Sequence, residues 1–239
     1  MSNQSDFERT WLQKLSRAVE REAGEKVRRD VLEGSSEVGG GPESQKVIAW
    51  TRQAMDKLNR AVEQDQRGAI MTSCACRYPV ADLQEAREAY AATGSIEAAH
   101  AILQATFRIF LRRVLSLDES VVENVIGQGW GLAGVVEGST VIATKIPKSG
   151  NLAAYLEETD PQRKRQLYCH CPRVRDVLAI GESPWSPEVA ETYCMCGAGF
   201  YKGIWEEIVQ TPVGVELLES VLRGDDVCKV AVHLPRGAL

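Results

Sequence analysis

The stretch "PVGVELLESVLRGDDVCKVAVHLP", residues 212–235, decides the fold of this chain. It reads as two strands joined around Arg223-Gly224-Asp225-Asp226. Working outward, "GLAGVVEGSTVIATKIP" (131–147) carries short β-branched runs around Glu137-Gly138, the pattern of a second hairpin. Between the hairpins, Asn151 to Leu167 has helical composition, and everything before them is helical in texture. Helices first, then helix mixed with antiparallel strands, predicts an α+β fold with helices flanking the sheet. The expected division is a helical N-terminal segment, 1–67, and an α+β ligand- or metal-binding domain, 68–239.

In the N-terminal segment, Phe7, Trp11, Leu15, Val19, Ala23, Val27 and Val31 recur every four residues, a helical stripe that Gly24 interrupts. "EGSSEVGGGPES" (33–44) predicts a flexible loop, with Ser44 capping a helix that carries Val47, Trp50, Met55, Leu58 and Val62 on one face. Two more helices, divided by Thr93-Gly94-Ser95, span 80–115. Ser116 and Glu119 have capping-box spacing, which opens a short helix from Leu117 to Ile126. Gly129-Trp130-Gly131-Leu132-Ala133-Gly134 imitates the dinucleotide fingerprint, but a helix precedes it and a strand follows, the reverse of what that motif needs.

A formal charge of −5 and a pI near 5.4 argue against nucleic acid as a partner. No apolar run approaches the ~20 residues of a membrane span, and "MSNQSDFERTWLQKL" lacks a signal peptide's apolar stretch. The expectation is a cytoplasmic protein, able to oligomerise, whose paired cysteines serve metal or redox chemistry rather than disulfides.

Six of the seven cysteines form three Cys-x-Cys pairs: Cys74/Cys76, Cys169/Cys171 and Cys194/Cys196. Each precedes a predicted helix start, at Pro79-Val80-Ala81-Asp82, Pro172-Arg173-Val174 and Gly197-Ala198-Gly199-Phe200. A helix N-terminus favours anions, and a nearby cation lowers a thiol's pKa. Arg77, Arg173, Arg175 and Lys202 accompany the pairs and could hold a small anionic ligand, with Gly197 and Gly199 leaving the backbone open to it. The six thiols are therefore expected in one pocket, as metal ligands for zinc or, alternatively, an iron–sulfur cluster. Six thiolates exceed one zinc's need, so either two metals share them, a cluster forms, or one pair stays free. The expected free pair is Cys194/Cys196, as nucleophiles, with His170 as an acid–base group, and the alternative is a purely structural zinc site. His100 and His233 read as structural, and Cys228 as a buried structural thiol.

"YCMCGAGFYKGIWEEIVQTPVGVELLESVLRGDDVCKVAVHLP" (193–235) resembles the end of the 4-vinyl reductase domain family and the related 2-aminothiazoline-4-carboxylate hydrolases. Gly199, Gly203, Gly224, Asp225, Asp226 and Cys228 carry the likeness. The resemblance implies a small-molecule-binding α+β fold with a four-stranded antiparallel sheet, and hydrolase-like or ligand-sensing activity. Sensor members of that group hold zinc with a cysteine where this chain has Ser220, so the resemblance places Cys228 outside such a site.

Overall fold

The computed structural model describes residues 4–38, 44–169, 171, 177–178 and 185–235. The backbone alone is described at 4–6, 44 and 149. It is α+β, with a four-stranded antiparallel sheet behind a largely helical N-terminal half.

Helix α1 (Gln4–Val31) carries the expected stripe, with Trp11, Leu15 and Val19 buried and Gly24 breaking the helix at φ 84°. Part of the next stretch takes regular structure. Gly34 takes a left-handed turn into a short 3-10 helix, Ser35–Glu37, Val38 is buried, and the Trp50 indole donates to the Glu33 carbonyl at 2.8 Å. Residues 39–43 of the predicted loop lie outside the described residues. Helices α2 (Ser44–Ala61) and α3 (Gln64–Ser73) follow, then α4 (Gln84–Thr93) and α5 (Ile96–Arg113), separated at Gly94 as expected. Helix α6 (Glu119–Gly127) begins behind Asp118 rather than in a Ser116 capping box, because Ser116 has φ 54° and cannot serve as a cap.

Strands β1 (Val135–Glu137) and β2 (Thr140–Thr144) form the first hairpin. The false nucleotide motif supports its base: Cβ atoms at Gly131 and Gly134 would collide with the Phe107 ring and the Ile142 carbonyl. After α7 (Leu152–Glu157) and α8 (Pro161–Tyr168) comes the long helix α9 (Pro187–Val209), then β3 (Gly214–Glu219) and β4 (Lys229–His233). Sheet order is β1-β2-β4-β3, with Val141 opposite Val232 and Leu217 opposite Val230.

Alternation points Val141, Ala143, Val230 and Val232 to one face, where Ala198, Tyr201, Ile204, Trp205 and Ile208 of α9 cover them. A second core gathers α1, α2, α3 and the start of α9 around Leu15, Met55, Leu58 and Met71. Cys194 and Met195 pack against both cores. Cys194 therefore sits at the seam between the helical core and the sheet core, while Cys74, Cys169, Cys171, Cys196 and Cys228 belong to the helical side.

Candidate functional site

All seven cysteines are free thiols, and the structure brings them into one neighbourhood. Cys194 lies close enough to Cys228, Cys169 and Cys171 to feel their charge. Cys196 does the same with Cys171 and Cys76, and Cys74 with Cys196. Cys228, expected to stand apart, is part of the cluster. So is Ser220, fully buried, whose hydroxyl hydrogen-bonds toward Cys194 and Cys228.

The local reason for this convergence differs from the one the sequence suggests. Cys74 and Cys169 occupy C-terminal caps, of α3 and α8, rather than helix starts. Cys194 and Cys196 lie inside α9, which begins ten residues before Gly197, at Pro187 behind a Ser186 cap that accepts from Val189 N–H at 3.3 Å. A Ser-Pro-Glu start of this kind is a recognised N-terminal signal and could have located the helix. The first pair precedes a helical turn as expected, Val80–Leu83 behind Pro79. His170, Arg173 and Arg175, together with the helix start expected at Pro172, lie outside the described residues.

Burial dominates the chemistry of the described thiols. Desolvation pushes Cys169 and Cys196 up to about 12 and Cys194 well above the ordinary thiol value. Burial likewise raises Cys74 and Cys228. These are neutral thiols at physiological pH, the opposite of the activated thiolates expected. Two groups favour the Cys196 thiolate, the Trp11 indole and, more weakly, the Lys145 ammonium. The Cys171 sulfur and the Tyr193 hydroxyl are 2.8 Å apart.

Of the expected cations, Arg77 and Lys202 lie among the described residues. Arg77 is exposed. Lys202 donates to Glu206 on its own helix and to the Val213 carbonyl at 2.8 Å. The cation at the centre is Lys145, unforeseen in the sequence. Burial alone would lower its pKa, but Cys169, Cys228, Cys171 and Cys196 around it raise it above the ordinary lysine value. The signal was present in the strand period: Val141, Ala143 and Lys145 share the face that β2 turns inward. Tyr168 fixes the lysine's place. Its buried hydroxyl donates to the Lys145 carbonyl and accepts from the Cys228 N–H at 2.9 Å, while Lys145 N–H donates to the Cys228 carbonyl at 2.9 Å. On the first pair's side, α1 supplies Lys14, bonded to the Ala75 carbonyl at 2.6 Å, and Arg21, bonded to Ser73.

The glycines of α9 divide sharply. A Cβ at Gly199 would stand 2.2 Å from the Thr72 carbonyl oxygen, so no ligand fits there. A Cβ at Gly197 would meet no described atom within 4 Å, which leaves space between Cys194 and Cys196. Among the described residues, no three His, Cys, Asp or Glu side chains stand at the spacing that holds a metal ion. His100 bonds the Gly134 carbonyl at 3.0 Å, and His233 is exposed beside Glu216.

Across α9, a groove of about 580 Å³ is lined by Arg67 and Lys202 but also by Asp65, Glu188, Glu191 and Glu216. That balance suits a neutral or cationic guest better than an anion. Among the described residues, no helix is long and apolar enough to cross a membrane.

A family model described as "Family of unknown function (DUF6144)" matches residues 150–237, less than half of the chain. The matched stretch holds Cys169, Cys171, Cys194, Cys196 and Cys228, while Lys145 and the first pair fall before it. No curated protein and no solved structure matches the chain.

Proposed function

We propose that this protein binds a thiophilic metal, with zinc the first choice and an iron–sulfur cluster the alternative, through its paired cysteines and Cys228. The observation that supports the reading is the gathering of Cys169, Cys171, Cys196 and Cys228 around Lys145, with Cys194 near Cys228, Cys169 and Cys171 and the first pair near Cys196. Buried neutral thiols do not need one another. Thiolates do need a cation, and binding a metal removes the desolvation penalty that otherwise keeps these groups protonated. The same burial argues against Cys194 and Cys196 as free nucleophiles and favours them as ligands. Reduced free thiols in this number suit a reducing compartment, the cytoplasm.

The bound metal would supply fold stabilisation and, with an open position, Lewis acidity. Tyr193 and Trp11 would orient Cys171 and Cys196 as hydrogen-bond donors to sulfur. The test is elemental analysis of protein purified without oxygen, with its absorption spectrum, before and after chelation. Metal retained at whole-number stoichiometry, and a lower melting temperature after its removal, are expected. Metal-free protein whose stability ignores both chelator and added zinc would overturn the reading.

The groove beside Lys202 supports a second reading, small-molecule binding. Thermal-shift screening of neutral and cationic metabolites against a Glu191→Gln/Glu216→Gln variant tests it. A ligand that stabilises both proteins equally does not bind there.

A further inference from the structure

We propose that the groove across α9 is a docking site for an extended basic peptide, which pairs as an added strand with the outer edge of β3. The proposal rests on the reading of this groove as a ligand site and names the ligand class. It is independent of the metal reading.

The hydrogen-bond phase of the sheet fixes which backbone groups face outward. Lys145 N–H donates to the Cys228 carbonyl at 2.9 Å and Leu234 N–H to the Ser139 carbonyl at 2.8 Å, in step with the β2–β4 register. Val230 and Val232 therefore turn their N–H and C=O to β2, while Ala231 and His233 turn theirs to Glu216 and Gly214 of β3. Val215 and Leu217, in the opposite phase, point theirs away from the sheet. β3 ends the order β1-β2-β4-β3, and among the described residues nothing bonds these outward groups. Such an open row is a template for another strand. Its two ends are closed. Val213 shares the outward phase, but its carbonyl accepts from Lys202 at 2.8 Å and its N–H donates to Glu206 at 3.3 Å. Beyond Leu217 the pairing shifts register, and the Leu218 carbonyl accepts from Arg223.

The open edge is one wall of the groove, and α3 is the other. Gly68, Ala69 and Thr72 keep the α3 wall low, and Met195 gives the floor an adaptable apolar surface. A space beside a free strand edge suits strand addition, in which backbone bonds give affinity and side-chain pockets give specificity.

Charge selects the occupant. Both cations of the groove are engaged, Arg67 with Glu188 at 3.4 Å and the Asn59 carbonyl at 3.0 Å, and Lys202 with Glu206 and Val213. Glu191 stands 3.9 Å from Arg223 and Glu216 3.7 Å from His233, at the limit of an ion pair, and Asp65 adds a third carboxylate. Lysine or arginine side chains of a peptide complement that excess. A second copy of this chain does not. Antiparallel pairing of two β3 strands through Val215 and Leu217 would set the two Glu216 side chains against each other.

The probe is a set of six-residue peptides, the length of β3, alternating Lys or Arg with Val or Thr, and a matched set with Glu in place of the cations. Binding to the reduced protein is read by fluorescence anisotropy and by amide hydrogen exchange. The basic set should bind and the acidic set should not. The Val215 and Leu217 amides should then exchange about tenfold more slowly, while Glu216, already bonded to β4, changes little. Glu191→Gln/Glu216→Gln should weaken binding about fivefold. Val215→Pro deletes an outward N–H that the β4 ladder does not use, and should abolish binding with the circular dichroism unchanged. Where that variant fails to fold, N-methylated peptides decide on the unaltered protein: methylating one alternate set of amides should abolish binding, and methylating the other should not. Equal binding of acidic and basic peptides, or binding without protection at Val215 and Leu217, overturns the added strand. Protection that rises with protein concentration without peptide assigns the edge to a second copy and also overturns it. Binding of spermidine but of no peptide, lost in Glu191→Gln/Glu216→Gln, removes the peptide and leaves the ligand-site reading standing. Binding of neither removes both.

Discussion

Gly199 of α9 and Thr72 of α3 are in backbone contact: a Cβ on Gly199 would come within 2.6 Å of the Thr72 Cα and 2.2 Å of its carbonyl oxygen. No side chain longer than hydrogen fits between the two helices at that point. The approach sets Cys74, two residues after Thr72, beside Cys196, three residues before Gly199. A single glycine thereby joins cysteine pairs that are 120 residues apart in sequence.

Gly199→Ala should be costly and Gly197→Ala should not. The first forces backbone against backbone, and overpacking of this kind costs about 1–3 kcal/mol or more. The second places a methyl where no described atom lies within 4 Å and gains up to ~1 kcal/mol of helix propensity. Chemical denaturation of the metal-free variants measures both. Equal stability of the two variants would refute the close contact.

The metal-free, reduced protein should lose stability as the pH rises above about 9. An unfolded thiol ionises near 8.5, whereas burial holds Cys169 and Cys196 protonated up to about 12 and raises Cys194 and Cys228 as well. Between those values the unfolded chain has fewer bound protons than the folded one, so stability falls with pH. It is fully present below the unfolded pKa. Each such thiol contributes a slope of about 1.4 kcal/mol per pH unit. Urea midpoints between pH 8 and 10 measure it, and Cys→Ser variants should flatten the decline. A pH-independent midpoint would show that the thiols are not desolvated.

Much of this site could be read from the chain because it rests on spacing. The three Cys-x-Cys pairs, the two hairpins and the Gly24 break are all short-range patterns, and the structure has them where the sequence places them. What escaped depends on tertiary contact. Gly197-Ala198-Gly199 looks like a helix start, yet Gly199 is small because Thr72 is against it, a fact held by a residue 127 positions away. Cys228 and Ser220 join the site only once β4 and the turn before it fold over α9. Lys145 lay between these cases: the two-residue period of β2 points it inward, but a lysine after an apolar strand ordinarily marks an exposed end.

Lys145→Met should separate stability from ligand chemistry. With the surrounding thiols protonated, a methionine spares the desolvation of an ammonium, so the metal-free protein at neutral pH should be at least as stable. The thiolates of Cys169, Cys196 and Cys228 lose a favourable charge, because Lys145 lowers the pKa of each. Their titration, followed by thiolate absorption, should move upward, and metal affinity at pH 7 should fall at least tenfold, about 1.4 kcal/mol. Lys145→Arg should keep the charge and most of the affinity. Unchanged thiol titration in Lys145→Met would place the ammonium outside the cluster.

Tyr168→Phe tests how the lysine is held. Trp130 and Tyr155 pack around the Tyr168 ring at centroid distances of 6.3 and 5.4 Å, so a phenylalanine keeps the aromatic contacts and loses only the hydroxyl. That hydroxyl accepts from Cys228 N–H and donates to the Lys145 carbonyl, the two backbone groups where β4 begins and β2 ends. Its removal leaves a buried N–H without its acceptor, a cost of about 1–3 kcal/mol. The Lys145–Cys228 backbone bond should then loosen first, since the hydroxyl clamps both sides of it. Amide exchange at Cys228 and Lys145 should accelerate more than exchange at Val230 and Val141, deeper in the same strand pair. Uniform acceleration across β2 and β4 would mean that Tyr168 supports the sheet as a whole and does not specifically position the site.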